Sequence, residues 1–245
     1  MNLASGAPLT TGRGWRSADP WRYALAAASL WVAGAASAAS GLIPGNAAPT
    51  DQDLRFEDIF TEVGEPAALH YRADFMARGK QHTLEVWRDG SRHLVRRTGE
   101  AIETHVTRQP GDSDYQMIVL DLRRKIETRV SRDDLYRLGN FTDWFDLAHG
   151  LRHPKTAYRL TATQVPAGTS RPLEACRWYA LEQSGKTTQV CWSARQHLPM
   201  QILADHGQVL WQVTLVEQTP GPAAVFQVRD FGFVQNDVHR EISGD

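Results

Sequence analysis

A chain of 245 residues with 42% hydrophobic and 22% charged side chains carries the apolar material for one sizeable core, which excludes a disordered or low-complexity polypeptide. The formal net charge of -1, with no long run of like charge, excludes a nucleic-acid-binding tail, so nucleic acid is not an expected partner. Two cysteines allow a single bridge, provided the compartment is oxidising.

The first 38 residues differ from the rest. Arg13, Arg16 and Arg22 precede the small, uncharged, apolar run Tyr23–Ala38, which ends in the A-x-A pattern Ala36-Ser37-Ala38. This predicts a secretory signal cleaved near Ala38 and a periplasmic location. An uncleaved anchor is the alternative, although the run is shorter than the ~20 residues a spanning helix needs. Residues 39–49 are small, contain Gly and Pro, and are expected to form a flexible tail. Residues 50–245 are then expected to be a single domain, with a formal charge of -3 once Arg13, Arg16, Asp19 and Arg22 are removed.

Residues 50–63 read as a helix, with Thr50 as N-cap, Asp51 and Asp53 in the first turn, an apolar stripe of Leu54, Ile59, Phe60 and Val63, and Gly64 as the stop. From Pro66 the period changes to two. Leu69, Tyr71, Ala73 and Phe75 alternate with polar positions, Leu84 and Val86 continue the pattern, and Asp89-Gly90 turns the chain. Strands are expected at 101–108, 115–122 and 125–131, in an antiparallel meander. Residues 115–122 are apolar on both faces, with Tyr115, Met117 and Val119 on one and Ile118, Leu120 and Leu122 on the other. Both faces of the sheet must therefore be covered.

Ser131 with Asp134 caps a helix from Arg132 to Leu138, Gly139-Asn140 breaks it, and residues 142–151 offer a second short helix rich in aromatics. Such an insert serves either as a lid or as ordinary core packing. Strands resume at 157–163. Residues 174–181 and 187–193 form a hairpin around Glu182–Gly185; with Leu181 opposite Lys186, Cys176 falls opposite Cys191, at the roughly 4.5–5.5 Å Cα separation a disulfide accepts. Two buried thiols are the alternative. The same register places the bridge on the less apolar face. Strands at 200–204 and 208–217 flank a His206-Gly207 turn, and residues 225–228 are expected as an edge strand, about ten strands in all.

Catalytic motifs are lacking: there is no G-x-S-x-G, phosphate loop, G-x-G-x-x-G or H-E-x-x-H, and no enzyme, cofactor or metal site is expected. His149 and His153 stand four apart, but Gly150 lies between them and Pro154 follows, so a helix-end role is preferred to metal binding. Asn140-Phe141-Thr142 matches a glycosylation sequon.

The order of an N-terminal helix, antiparallel meander, helical insert and further strands resembles the periplasmic LolA/LolB-like lipoprotein-carrier superfamily, which includes the N-domain of the RseB-like regulators. The run Cys191-Trp192-Ser193, Leu198-Pro199-Met200-Gln201-Ile202 and Gly207-Gln208-Val209-Leu210-Trp211 is similar to that family's strand, Leu-Pro, strand, turn, strand order. The resemblance implies an α+β fold, mostly antiparallel β: a curved half-barrel with the helices on its concave face. It further implies a hollow lined by Leu69, Tyr71, Phe75, Leu84, Val86, Ile118 and Leu120, with Trp144, Phe145 and Leu147 as a lid. The implied role is a non-enzymatic carrier or binder of a lipid or lipoprotein acyl chain. The alternative is an envelope sensor or interaction module that binds another periplasmic or membrane protein. The disulfide hairpin departs from the carriers.

Overall fold

The computed structural model describes residues 54–238 apart from Ser91, Pro110, Ser113 and residues 138–141. The expected signal segment, the flexible tail, the Thr50 cap and Asn140 of the sequon lie outside the described residues. Among the described residues no helix is long and apolar enough to cross a membrane.

Twelve strands form one open, curved sheet in the order β12-β6-β5-β4-β3-β2-β1-β11-β10-β9-β8-β7. The strands are β1 Ala68–Ala77, β2 Lys80–Asp89, β3 His93–Thr98, β4 Ile102–Arg108, β5 Tyr115–Asp121, β6 Ile126–Ser131, β7 Tyr158–Thr163, β8 Arg177–Gln183, β9 Lys186–Ser193, β10 Leu198–Leu203, β11 Val209–Glu217 and β12 Val234–Asp237. Neighbouring strands are antiparallel except β12, which runs parallel to β6. The meander is a consequence of tight turns. At Arg78-Gly79 both φ angles are positive, the geometry of a two-residue hairpin whose twist matches that of its strands.

Among the described residues three short α-helices accompany the sheet: α1 Phe56–Ile59, α2 Arg132–Arg137 and α3 Trp144–His149. The N-terminal helix is a single turn rather than a long stripe. Ser131 and Asp134 cap α2 reciprocally, with Asp134 N–H donating to Ser131 Oγ at 3.1 Å and Ser131 N–H to Asp134 Oδ2 at 2.9 Å. This capping box is the one the sequence predicts.

Two expectations need correction. The hairpin of β8 and β9 turns on Ser184-Gly185 alone, both at positive φ, so Gln183 faces Lys186 and Trp178, not Cys176, opposes Cys191. The two-residue turn outcompetes the four-residue loop for the same twist reason. A shift of two residues preserves parity, so Cys176, just before β8, still bridges Cys191 with Cα atoms 5.3 Å apart. The closed loop of this length contributes about 3 kcal/mol by restricting the unfolded chain. Residues 225–228 form no strand; Ala223–Phe226 is a 3-10 turn, closed by Val225 N–H donating to Pro222 O at 2.8 Å.

That C-terminal segment covers the convex face instead. Gly221 packs on Trp87, where an added Cβ would lie 2.6 Å from the indole, and the Phe226 ring lies 4.9 Å from that of His93. Farther along the sheet, Ser170 binds Gln201 at 2.8 Å and Glu174 binds Gln196, which holds residues 164–176 over β8–β10. All six side chains of β10 are consequently buried, as are Trp178 and Cys191 on the convex side.

On the concave side, Gly150 ends α3 at φ +67, and an added Cβ would lie 2.7 Å from the Trp211 indole. Gly150→Ala imposes both a left-handed backbone and this overlap. It is expected to lower stability by about 1–3 kcal/mol, measured as a lower urea midpoint with an unchanged m-value.

Candidate functional site

The cross-strand register decides which predicted lining residues meet. Tyr71 faces Val86, Val86 faces Arg96, Arg96 faces Thr104, and Thr104 faces Val119, so these share one face. Leu69, Tyr71, Phe75, Leu84 and Val86 all lie on that concave side and are buried. Ile118 and Leu120 do not join them. Strand alternation carries both to the convex face, and β5 contributes Tyr115, Met117 and Val119 inside.

Trp144, Phe145 and Leu147 lie against the concave face, each at most 4% exposed. Phe56 and Phe60 of α1 complete the aromatic layer: Phe56 meets Phe145 and Tyr158, and Phe60 meets Tyr179 and Trp192, with ring centroids 5.2–6.4 Å apart. The space under α3 is thus filled by the chain's own side chains. A pocket of about 220 Å³ borders Phe75 at the ends of β1 and β11.

Side-chain and backbone contacts fix α3, whose six residues are all buried. Tyr71 Oη donates to Ala148 O at 3.2 Å, and Tyr115 Oη donates to Thr142 O at 2.7 Å. Burial pushes both hydroxyls' pKa values upward, that of Tyr71 to about 12, so both remain donors. At the N-cap, Asp143 accepts from Asp146 N–H at 2.8 Å. His153 Nδ1 lies 3.1 Å from Asp143 Oδ2 and 3.2 Å from Asp146 Oδ1, clasping the loop that follows α3 back onto its start. Burial opposes charge on this histidine, but the hydrogen bonds and charges of Asp143 and Asp146 prevail and raise its pKa to about 10. The three groups' ligand atoms lie within 4.8 Å of one another, close enough for a divalent cation. Yet the proton on His153 occupies the lone pair that a metal would require.

A second cluster lies deeper. Arg88 points into the concave face and is fully buried. Its Nη1 is 3.1 Å from Glu65 Oε2 and 2.8 Å from His149 Nε2. His149 Nδ1 lies 3.0 Å from Phe145 O, and its Nε2 lies 2.8 Å from Arg88 Nη1 and 3.1 Å from Glu65 Oε2, so the ring's tautomer sets whether Nε2 accepts from Arg88 or donates to Glu65. Burial, aided by the adjoining Arg88 charge, lowers the His149 pKa and outweighs the hydrogen bond to Glu65, which raises it. Burial raises the Glu65 pKa, but the contacts with His149 and Arg88 outweigh it and bring it below the ordinary carboxylate value. Among the described residues, Nε and Nη2 of Arg88 have no hydrogen-bond partner and are buried. His149 and His153 therefore serve separate clusters, although His149 does end its helix as expected.

Glu65 also reaches solvent. With Glu62, Val63, Arg108 and Asp112 it lines an open cleft of about 630 Å³, where residues 62–67 cross the sheet. Arg108 binds Glu62 at 2.8 Å and lies 4.3 Å above the Trp144 ring, so one cation joins the cleft wall to α3. Spacing alone could not assemble residues 62, 65, 88, 108 and 149. The available signal was Arg88 itself, a charge at an inward position two residues after Val86.

Glu65→Gln leaves the Arg88 charge uncompensated and is expected to cost about 3–5 kcal/mol in urea unfolding, most of which the double variant Glu65→Gln with Arg88→Met recovers. The clasp has a pH signature. The folded pKa of His153 exceeds its unfolded value near 6.5, so its stabilisation is complete below about pH 6.5 and is lost as pH rises toward about 10, provided Asp143 and Asp146 stay ionised. The melting-temperature gap between the natural protein and His153→Gln should narrow across that window, as calorimetry would show.

No protein-family model matches the chain, and no curated protein matches it. Among solved structures it is similar to the crystal structure of MucB, with a TM-score of 0.36 and 15% identity, over 70% of this chain and 61% of that one. It is also similar to PNGF-II in two crystal forms, with TM-scores of 0.36 and 0.34 and 9% identity in each, over 69% of this chain. The chain spans 61% of the length of the MucB chain and 30% and 31% of the PNGF-II chains. Likeness at this level assigns neither family nor role.

Proposed function

We propose that the protein is a non-catalytic interaction module of the cell envelope, exported to the periplasm, which engages another envelope protein through the cleft beside Glu65. The observation behind this reading is that the cleft is the solvent-facing side of an ion cluster buried in the concave face. A cationic group entering the cleft competes with Arg88 for Glu65, and Arg88 touches His149 at the end of α3. Occupancy would thereby reach the element that closes the concave face, as a sensor requires. The Cys176–Cys191 bridge suits an oxidising compartment.

Carriage of a lipid or lipoprotein acyl chain is a second reading, favoured by a specific feature. Beneath Trp144, Phe145 and Leu147 lie Leu69, Tyr71, Phe75, Leu84 and Val86, an apolar face that displacement of α3 would open. The two readings separate experimentally. A photo-crosslinker at exposed Asp112 is expected to capture one dominant envelope protein, and Val63→Asp on the same rim is expected to abolish capture. Diffuse capture, together with acyl-chain mass additions in native mass spectrometry of the exported protein, would instead support carriage.

A further inference from the structure

We propose that the paired turns at the β12 edge of the sheet form a docking surface for an anionic phospholipid bilayer. The β5–β6 turn presents three consecutive exposed cations, Arg123, Arg124 and Lys125. Asp121 holds that turn rigid by accepting from Arg123 N–H at 3.1 Å and Arg124 N–H at 2.8 Å. Beside it lies the turn Asp230–Phe233, closed by Phe233 N–H to Asp230 O at 2.9 Å, with Gly232 at φ +79. A backbone bond of 2.8 Å from Val234 N–H to Lys125 O fastens the two turns together, and Lys125 Nζ lies 4.8 Å from the Phe233 ring.

At the tip of the second turn Phe231 is 100% exposed, and Val234, three residues on at the start of β12, is 69% exposed. A phenylalanine fixed and fully exposed at a hydrogen-bonded turn tip suits insertion among lipid headgroups. The adjoining cations then meet the lipid phosphates. Arg229 adds a further exposed cation. The acidic groups nearby are largely engaged: Asp121 binds backbone, Glu127 pairs with Arg129 at 2.6 Å, and Asp230 lies 4.0 Å from Arg129. Glu100, in the neighbouring β3–β4 turn, is the exposed exception. One ring and one valine are too little apolar surface for a stable protein interface, which needs about 800 Å² per partner. A bilayer requires no such area.

The test places an environment-sensitive fluorophore on Phe231→Cys in the full chain, the native cysteines being joined in the disulfide. Vesicles of phosphatidylcholine with about 30 mol% phosphatidylglycerol are expected to raise its emission several-fold, and pure phosphatidylcholine to leave it unchanged. The same label on Val165→Cys, exposed elsewhere, should stay silent; this separates the patch from any membrane affinity of the N-terminal segment. Reversal of the three cations, Arg123→Glu, Arg124→Glu and Lys125→Glu, is expected to weaken partitioning by roughly 100-fold. Equal response to both vesicles, equal response at position 165, insensitivity to the charge reversal, or a response to purified protein without vesicles would overturn the proposal. The last outcome would point to a protein contact.

Discussion

An open sheet of twelve strands has two broad faces to shield from water, and the arrangement of this protein follows from how its connections meet that requirement. The concave face is filled by α3, by the single turn α1 and by the segment that leads into β1. The convex face is covered by two irregular stretches, residues 164–176 over β8–β10 and the C-terminal segment over Trp87 and His93. β10, buried on both faces, is the direct result.

Burying a short helix on a curved sheet brings charged groups inside with it. Arg88, Glu65 and His149 form one such set, and Asp143, Asp146 and His153 another, at opposite ends of α3. A buried ion pair rarely adds net stability over a well-packed apolar pair, but removal of one partner is costly. These clusters therefore act on the position of α3 more than on the total stability of the fold. Aromatic packing against Phe56, Phe60, Trp192 and Trp211 supplies most of the free energy that keeps α3 seated.

The two proposed surfaces lie where this covering is incomplete. The cleft opens where residues 62–67 leave a gap above the β2–β3 and β4–β5 connections, so Glu65 is partly solvated while Arg88 behind it is not. At the far edge β12 adds a short parallel strand that places an aromatic turn against a basic one. One surface is acidic and recessed, the other basic and protruding. A module that sits on a membrane and reads a neighbouring protein would use both.

Much of the local structure was legible in the chain. Period-two alternation marked the strands of the meander, Ser131 and Asp134 marked the capped α2, and the spacing of Cys176 and Cys191 indicated their bridge on the convex side, because these signals act over a few residues. Alternation determines which residues of one strand share a face, but not which face is concave once strands are paired. That is why Ile118 and Leu120 were grouped with Leu69 and Tyr71, although the ladder through Val86, Arg96 and Thr104 places Val119 there. The hairpin register depended on turn twist, and the route of the C-terminal segment on packing against Trp87 and His93 across the sheet. The Glu65–Arg88–His149 cluster and the Phe231 turn beside Lys125 join residues distant in the chain. No spacing rule encodes such encounters; they arise only when the sheet curves and its connections are drawn across it.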